Sequence, residues 1–263
     1  MLVKSENMNK VFFDVREAPV QVEGKIVPLR KAIMKVNPEE GIDDEVLAIT
    51  SNRYAPVSNN KVLDMFGEIA NKAGVTWVPG DGHLLKRGAK TIMEIEFPNN
   101  KVVIGENDDL TLKGWLTNSF DGKGSAKLEL GFMRLVCTNG MIIGTKDLAI
   151  SYRHVGDIED KIAAQFGDYL HEKVAAAESH INHLNDRYFS TDQVHNILEE
   201  ASWMGTRVQD ALKAEWINQG KTLNAWLLYN VFTWIITHHV KANIETKMKR
   251  HHRLNKEVAN WGA

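Results

Sequence analysis

Cysteine is almost absent from this chain of 263 residues: Cys137 is the only one. A single thiol excludes an intramolecular disulfide framework, so a reducing, cytosolic setting is the expectation. Long apolar stretches are missing too. The N-terminal MLVKSENMNKVFF contains nothing like the apolar core of a secretion signal. The longest apolar run, Asn224 to Ile236, falls short of the roughly 20 residues that span a bilayer, and Asn224, Asn230 and Thr233 interrupt it. It reads as a buried helix, and no membrane partner is expected. Charge of one sign is also not in excess: 32 Lys and Arg against 34 Asp and Glu leave a formal net charge of −2. Any nucleic-acid site must therefore be a local patch. There is no P-loop, no internal repeat and no low-complexity linker.

The composition that is present, 43% hydrophobic and 25% charged, is that of a chain that folds around a core. Up to about residue 57, short apolar clusters alternate with breakers and read as strands joined by loops. A helix follows, capped by Ser58 or Asn59, with Val62, Leu63, Phe66, Ile69 and Ala70 on one face and Gly74 closing it. From Thr76 to Tyr152, β-rich runs between Pro-Gly, Asn-Asp-Asp and Asp-Gly punctuation predict an antiparallel sheet. Both faces of the run Lys127 to Cys137 are partly apolar, which predicts a central strand.

After Gly156 the spacing turns helical, with Ile158, Ile162, Phe166, Leu170 and Val174 in phase. Ser190 and Gln193 form a capping box that opens a second helix, read through to Gly220. A third begins near Thr222, carries Trp226, Tyr229, Phe232 and Trp234, and runs on into a basic end. The expected fold class is α+β: a mostly antiparallel sheet with one early helix, followed by several long C-terminal helices. Residues 1–155 are expected to form the sheet domain. Residues 156–263 are expected to form a helical region packed on it or on a neighbouring subunit.

Candidate chemistry is sparse. Cys137 lacks a neighbouring base, and a buried thiol beside an Asn139-Gly140 turn fits it better than a nucleophile. Arg134, mid-strand on an apolar side, needs a partner: Asp121 or Asp147, or a ligand phosphate. The segment PGDGHLLKRGAK groups His83, Lys86, Arg87 and Lys90 with glycines, and Lys123 lies at the same sheet end; these cations could meet phosphates or simply be solvated. His180 and His183 stand three apart, as metal ligands on a helix can, but no third ligand follows by spacing. Neither a metal nor a cofactor is expected, and no catalytic residue is assigned. Lys249, Arg250 and Arg253 belong to a C-terminal basic stripe able to follow a phosphate backbone.

The stretch GWLTNSFDGKGSAKLELGFMRLVCTNGMIIG resembles the phage and plasmid-like family known as domain of unknown function 932. That family typically shows a Ser-His-Asp-Gly turn, a strand, then Arg-x-Val-Cys-x-Asn. The matching residues are Ser119, Asp121, Gly122, Arg134, Val136, Cys137 and Asn139, with Phe120 where the family usually has histidine. The likeness extends over SNRYAPVSNNKVLDMFGEI and, near the end, TLNAWLLYNVFTWIITHH. It implies origin in a phage, prophage or plasmid, and hence the cytoplasm of the infected or carrying bacterium, but names no activity.

These readings together favour a nucleic-acid-binding protein of replication or recombination, with single-stranded DNA as the favoured partner and a homo-oligomeric state. Its contacts would be Lys86, Arg87, Lys90, Lys123, Arg134, Lys249, Arg250 and Arg253. The alternatives are a protein-interaction factor directed at a host protein, such as an inhibitor of a host defence system, and an enzyme of unknown reaction.

Overall fold

The computed structural model describes residues 5–37, 42–105, 108–123, 126–134, 139–141 and 158–261. Its class is α+β. A short α1 (Glu6–Lys10) leads into a three-stranded antiparallel sheet of β1 (Val15–Val22), β2 (Lys25–Lys35) and β3 (Glu45–Ser51). Then come α2 (Asn59–Lys72) and a five-stranded sheet in sequential order, β4 (Val78–Leu85), β5 (Lys90–Gly105), β6 (Asp108–Ser119), β7 (Lys127–Arg134) and β8 (Asn139–Met141). The long helices follow: α3 (Ile158–Asn185), α4 (Thr191–Glu200), α5 (Thr206–Asn218), α6 (Ala225–His238) and α7 (Ile244–Val258).

By its internal contacts the chain divides into two compact units. The first comprises Met1–Pro98, Lys113–Glu129 and Lys146–Asp168; the second comprises Asn99–Leu112, Leu130–Thr145 and Tyr169–Ala263.

In the first unit, α2 forms as its spacing predicts. Ser58 is the cap, its hydroxyl accepting from the Lys61 N–H, and Val62, Leu63, Phe66, Ile69 and Ala70 are all buried. Phe66 sits at the centre of an aromatic cluster, edge-on to Trp77, Phe97 and Phe166 at ring distances of 5.2, 6.2 and 6.0 Å. Burial of a phenylalanine of this kind contributes about 2–3 kcal/mol, and edge-on rings add to it. β7, which belongs to the first unit up to Glu129 and to the second from Leu130, is an interior strand with Leu128, Leu130 and Phe132 buried, as its two apolar faces predict.

In the second unit, α6 is apolar nearly all round and is buried, with Trp226 stacked on Tyr229 and Phe232 against Trp261. Its polar residues are satisfied internally: Asn224 caps the helix through the Leu227 N–H, and the Asn230 amide donates to the Trp226 carbonyl. None of the described helices is long and apolar enough to cross a membrane.

Two helices are shorter than their sequences suggest. The second breaks at Ala201–Met204 because Gly205 adopts φ 91°, a left-handed conformation that a helix cannot continue through. The capping box itself is present, Ser190 with Gln193. The third stops at His238, and Asn243 caps a separate α7 through the Thr246 N–H. The basic stripe is thus not an extension of the aromatic helix.

α7 buries His251 with Met248, Leu254 and Val258, and His251 Nδ1 is buried without a hydrogen-bond partner among the described residues. Burial first, then the charges of His252 and Lys247, push its pKa from the ordinary 6.5 down to about 3. The unfolded chain therefore binds the extra proton between those values, so this group's stabilisation is complete above pH 6.5 and is lost progressively as pH falls. His180, half-buried against Tyr229 and near His183, is shifted the same way. The melting temperature should fall between pH 7 and 5, and His251→Leu should flatten that fall. An unchanged slope in the variant would contradict the assignment.

Candidate nucleic-acid interface

Four of the eight cations singled out in the sequence, Lys86, Arg87, Lys90 and Lys123, lie at or beside two adjoining turns of the first unit. The β4–β5 hairpin closes through Lys86–Gly88, with Leu85 in register with Lys90. The second turn follows β6, at Phe120–Lys123. A hydrogen bond and an ion pair staple the two together: the Phe120 N–H donates to the Ala89 carbonyl at 2.8 Å, and Lys86 Nζ lies 3.6 Å from Asp121. Asp121 also accepts from the Ser119 hydroxyl at 2.6 Å and from the Lys123 N–H at 3.0 Å. Burial raises its carboxyl, but these donors and the Lys86 and Lys123 charges outweigh burial and hold it below the usual value.

Beneath the turns lies a buried polar network. Asn59 Oδ1 accepts from the Thr91 hydroxyl at 2.9 Å and from the Asn118 amide at 2.8 Å, while its own Nδ2 donates to the Val11 carbonyl at 2.6 Å. Asn118 Nδ2 also reaches the Val57 carbonyl at 2.9 Å, and the Tyr54 hydroxyl donates to the Ser119 carbonyl at 2.8 Å. Burial, with a smaller contribution from Asp121, pushes the Tyr54 phenol up to about 12, so it stays a neutral donor. Phe120 is fully buried and packs on Phe13 at 5.6 Å.

These contacts join two separate sequence segments, 51–69 and 114–123. A family model described as Domain of unknown function (DUF932) matches residues 46–259. The chain belongs to that family. No curated protein and no solved structure matches it. Within this DUF932 chain, β1 and β2 precede the matched span, and the Tyr54–Ser119 and Asn59–Asn118 bonds lie inside it.

The remaining site residues fall elsewhere. Arg134 ends β7 with its backbone in register with Asn139; its side chain lies outside the described residues, as do Cys137 and Asp147. Lys249, Arg250 and Arg253 are on α7 in the second unit. Lys249 pairs with Glu245 at 3.1 Å and Arg253 with Glu257 at 3.2 Å, each one helical turn away, and Arg253 also covers the Trp203 ring. Arg250 Nη1 is buried without a partner among the described residues. Among the described residues no group of three or more His, Cys, Asp or Glu is placed to hold a metal, and His183 is exposed.

Sequence reasoning grouped His83 with the basic turn, but its Nε2 is 2.9 Å from Glu94, whose carboxylate also faces Lys113 at 3.5 Å. It missed Glu94, Glu96 and Lys113 altogether. The alternation in TIMEIEF, which puts both glutamates on one face of a strand beside a buried lysine, was the available signal.

Replacing Asn59 by Ala would leave the Thr91 hydroxyl, one N–H of the Asn118 amide and the Val11 carbonyl without these partners in a dry interior. The expected cost is about 3 kcal/mol in urea unfolding, since each unmade buried hydrogen bond costs about 1–3 kcal/mol. A loss below about 1 kcal/mol would show the network to be dispensable.

Proposed function

We propose that this DUF932 protein is a phage- or plasmid-encoded nucleic-acid-binding protein of replication or recombination, acting in the cytoplasm of the carrying bacterium. Single-stranded DNA is the favoured partner, bound by a homo-oligomer. The observation that carries the reading is the backbone of the β4–β5 turn: Lys86 and Arg87 both adopt positive φ, 50° and 58°, and both are exposed. Left-handed conformation costs about 1–2 kcal/mol for each ordinary residue, and Asn-Gly would form the turn more cheaply. Strain of this kind accumulates where side-chain chemistry matters more than stability.

Arg87 has no partner among the described residues, so its guanidinium is available to a phosphate. Lys86 and Lys123 flank the single carboxylate of Asp121, and half-buried Lys90 continues the series into β5. Phosphate contacts of this type release counterions and read no sequence, which suits binding to single strands. Arg134 and the α7 residues Lys249, Arg250 and Arg253 would supply further contacts, weakened at Lys249 and Arg253 by their helical carboxylate partners.

The double variant Lys86→Asn with Arg87→Gly separates strain from function. It should melt at the same temperature as the parent or higher, yet bind oligo-dT more weakly, with a salt slope smaller by about one to two contacts. Unchanged affinity, or no binding by the parent at low salt, would reject the reading. A protein-interaction factor would then come first. That reading has its own support in Val22, Ile26, Leu29, Val46 and Ile49, which are exposed on the three-stranded sheet.

A further inference from the structure

The three-stranded sheet of the first unit is apolar on both faces, and only one of them is covered. Register assigns the faces. Ile33 and Thr50, both buried, lie on one side in line with Ala48 and Lys31. The other side carries Ala18, Ala32 and Ile49 on one rung and Met34 and Val46 on the next, beside Arg16. Val46 and Ile49 are each more than half exposed, and alternation along β1 brings the exposed Val22 to the same side. An antiparallel sheet with one face in water alternates apolar-in with polar-out, and this outward face departs from that rule across all three strands.

Strand β2 adds an independent mark. Between the register pairs Pro19↔Lys31 and Gln21↔Ile26, the residues from Val27 to Arg30 stand opposite Val20 alone, which is a wide bulge. Within it Leu29 adopts φ 61° and is 76% exposed, more than any other large hydrophobic side chain among the described residues. Its carbonyl accepts from the Asn52 N–H at 3.2 Å, which holds it there. A left-handed backbone is unfavourable for leucine, and an apolar side chain in water gains nothing in return. Contact with a second apolar surface is what offsets both.

The charges around the face say which surface that is. Some are used up within the sheet: Lys31 pairs with Glu17, Arg16 with Asp44, and Lys35 lies over the Phe13 ring. The exposed charges without an ion-pair partner among the described residues are sorted along the strands. Asp14, Asp43 and Glu45 stand at the end where β1 and β3 begin. Lys25 and Arg30 stand toward the β1–β2 turn, with Arg53 just past the end of β3 and Glu23 the one carboxylate among them. A face acidic at one end and basic at the other is its own complement, because a two-fold axis crossing the strands lays each end on the opposite end of a second copy. We propose that the outer face of the β1–β2–β3 sheet is the interface between two copies of this chain, packed face to face with their strands running in opposite directions. Two sheets packed in this way, about 10 Å apart, enclose the apolar rungs as a sandwich does. Three strands of about eight residues give a face of roughly 14 by 26 Å, at the small end of interface sizes, so the dimer is reversible. This interface deepens the proposed function, resting on it for the homo-oligomeric state alone and holding without nucleic acid.

Sedimentation velocity of the full chain without DNA, over a wide range of concentration, tests this. The parent should pass from monomer to dimer as concentration rises. Ile49→Lys sets a charge on the apolar face at an exposed position, so it should stay monomeric throughout while melting like the parent. Arg30→Glu and Asp43→Lys should each weaken the dimer about tenfold, and the two together should restore it, because opposite ends meet. A parent monomeric at every concentration, a dimer untouched by Ile49→Lys, or a double variant no tighter than the single ones would each overturn the proposal, the first leaving the face to a foreign protein. Since no DNA is present, loss of oligo-dT binding would reject the proposed function and leave this dimer standing.

Discussion

Asn59 places one amide between segments distant in sequence: the Val11 carbonyl, the Thr91 hydroxyl of β5 and the Asn118 amide of β6. The residue is 1% exposed, so none of these bonds can be exchanged for water, and the geometry of all three segments is fixed together. Asn118 is followed directly by Ser119, whose hydroxyl and carbonyl position Asp121 and Tyr54. Thr91 follows Lys90 at the base of the strained hairpin. The two turns that carry the exposed cations therefore rest on a satisfied polar core, and that support lets Lys86 and Arg87 hold an unfavourable backbone conformation.

The same unit handles charge in two opposite ways. At the hairpin turn, Lys86, Arg87 and Lys123 stand in solvent with one carboxylate among them, an arrangement open to an anionic chain. Farther along the hairpin, Glu94 and Glu96 of β5 cover Lys113 of the neighbouring β6, which is buried beneath them. A near-neutral overall charge conceals this separation. The polarity along one hairpin follows from strand alternation, which sends Glu94 and Glu96 to one face, and from the bulge at Gly80–Asp81.

Much of the fold was legible in the sequence because local signals and burial agreed. The Ser58 cap, the apolar face of α2, the Ser190–Gln193 box and the interior position of β7 all follow from spacing and side-chain chemistry. The helix breaks were not legible. Gly205 lies within an otherwise helical pattern, where a glycine weakens a helix without marking its end, and Asn243 caps α7 inside a run of polar residues that reads equally well as continuous helix. Of the candidate site, the basic turn was visible as a cluster of cations beside glycine. Its left-handed backbone and its attachment to Asp121 were not, since both arise from pairing across residues distant in sequence. His83 shows the limit most plainly: composition placed it with the cations, and register gave it to Glu94.

Amide hydrogen exchange of the full chain, with and without a saturating single-stranded DNA oligonucleotide, tests the central claim most directly, because it reports where the ligand rests without altering any residue. The account predicts slowed exchange concentrated at residues 84–91 and 119–123, with the network segment around Asn59 already slow in the free protein. Protection confined to α7, or none at either turn while DNA is bound, would contradict it.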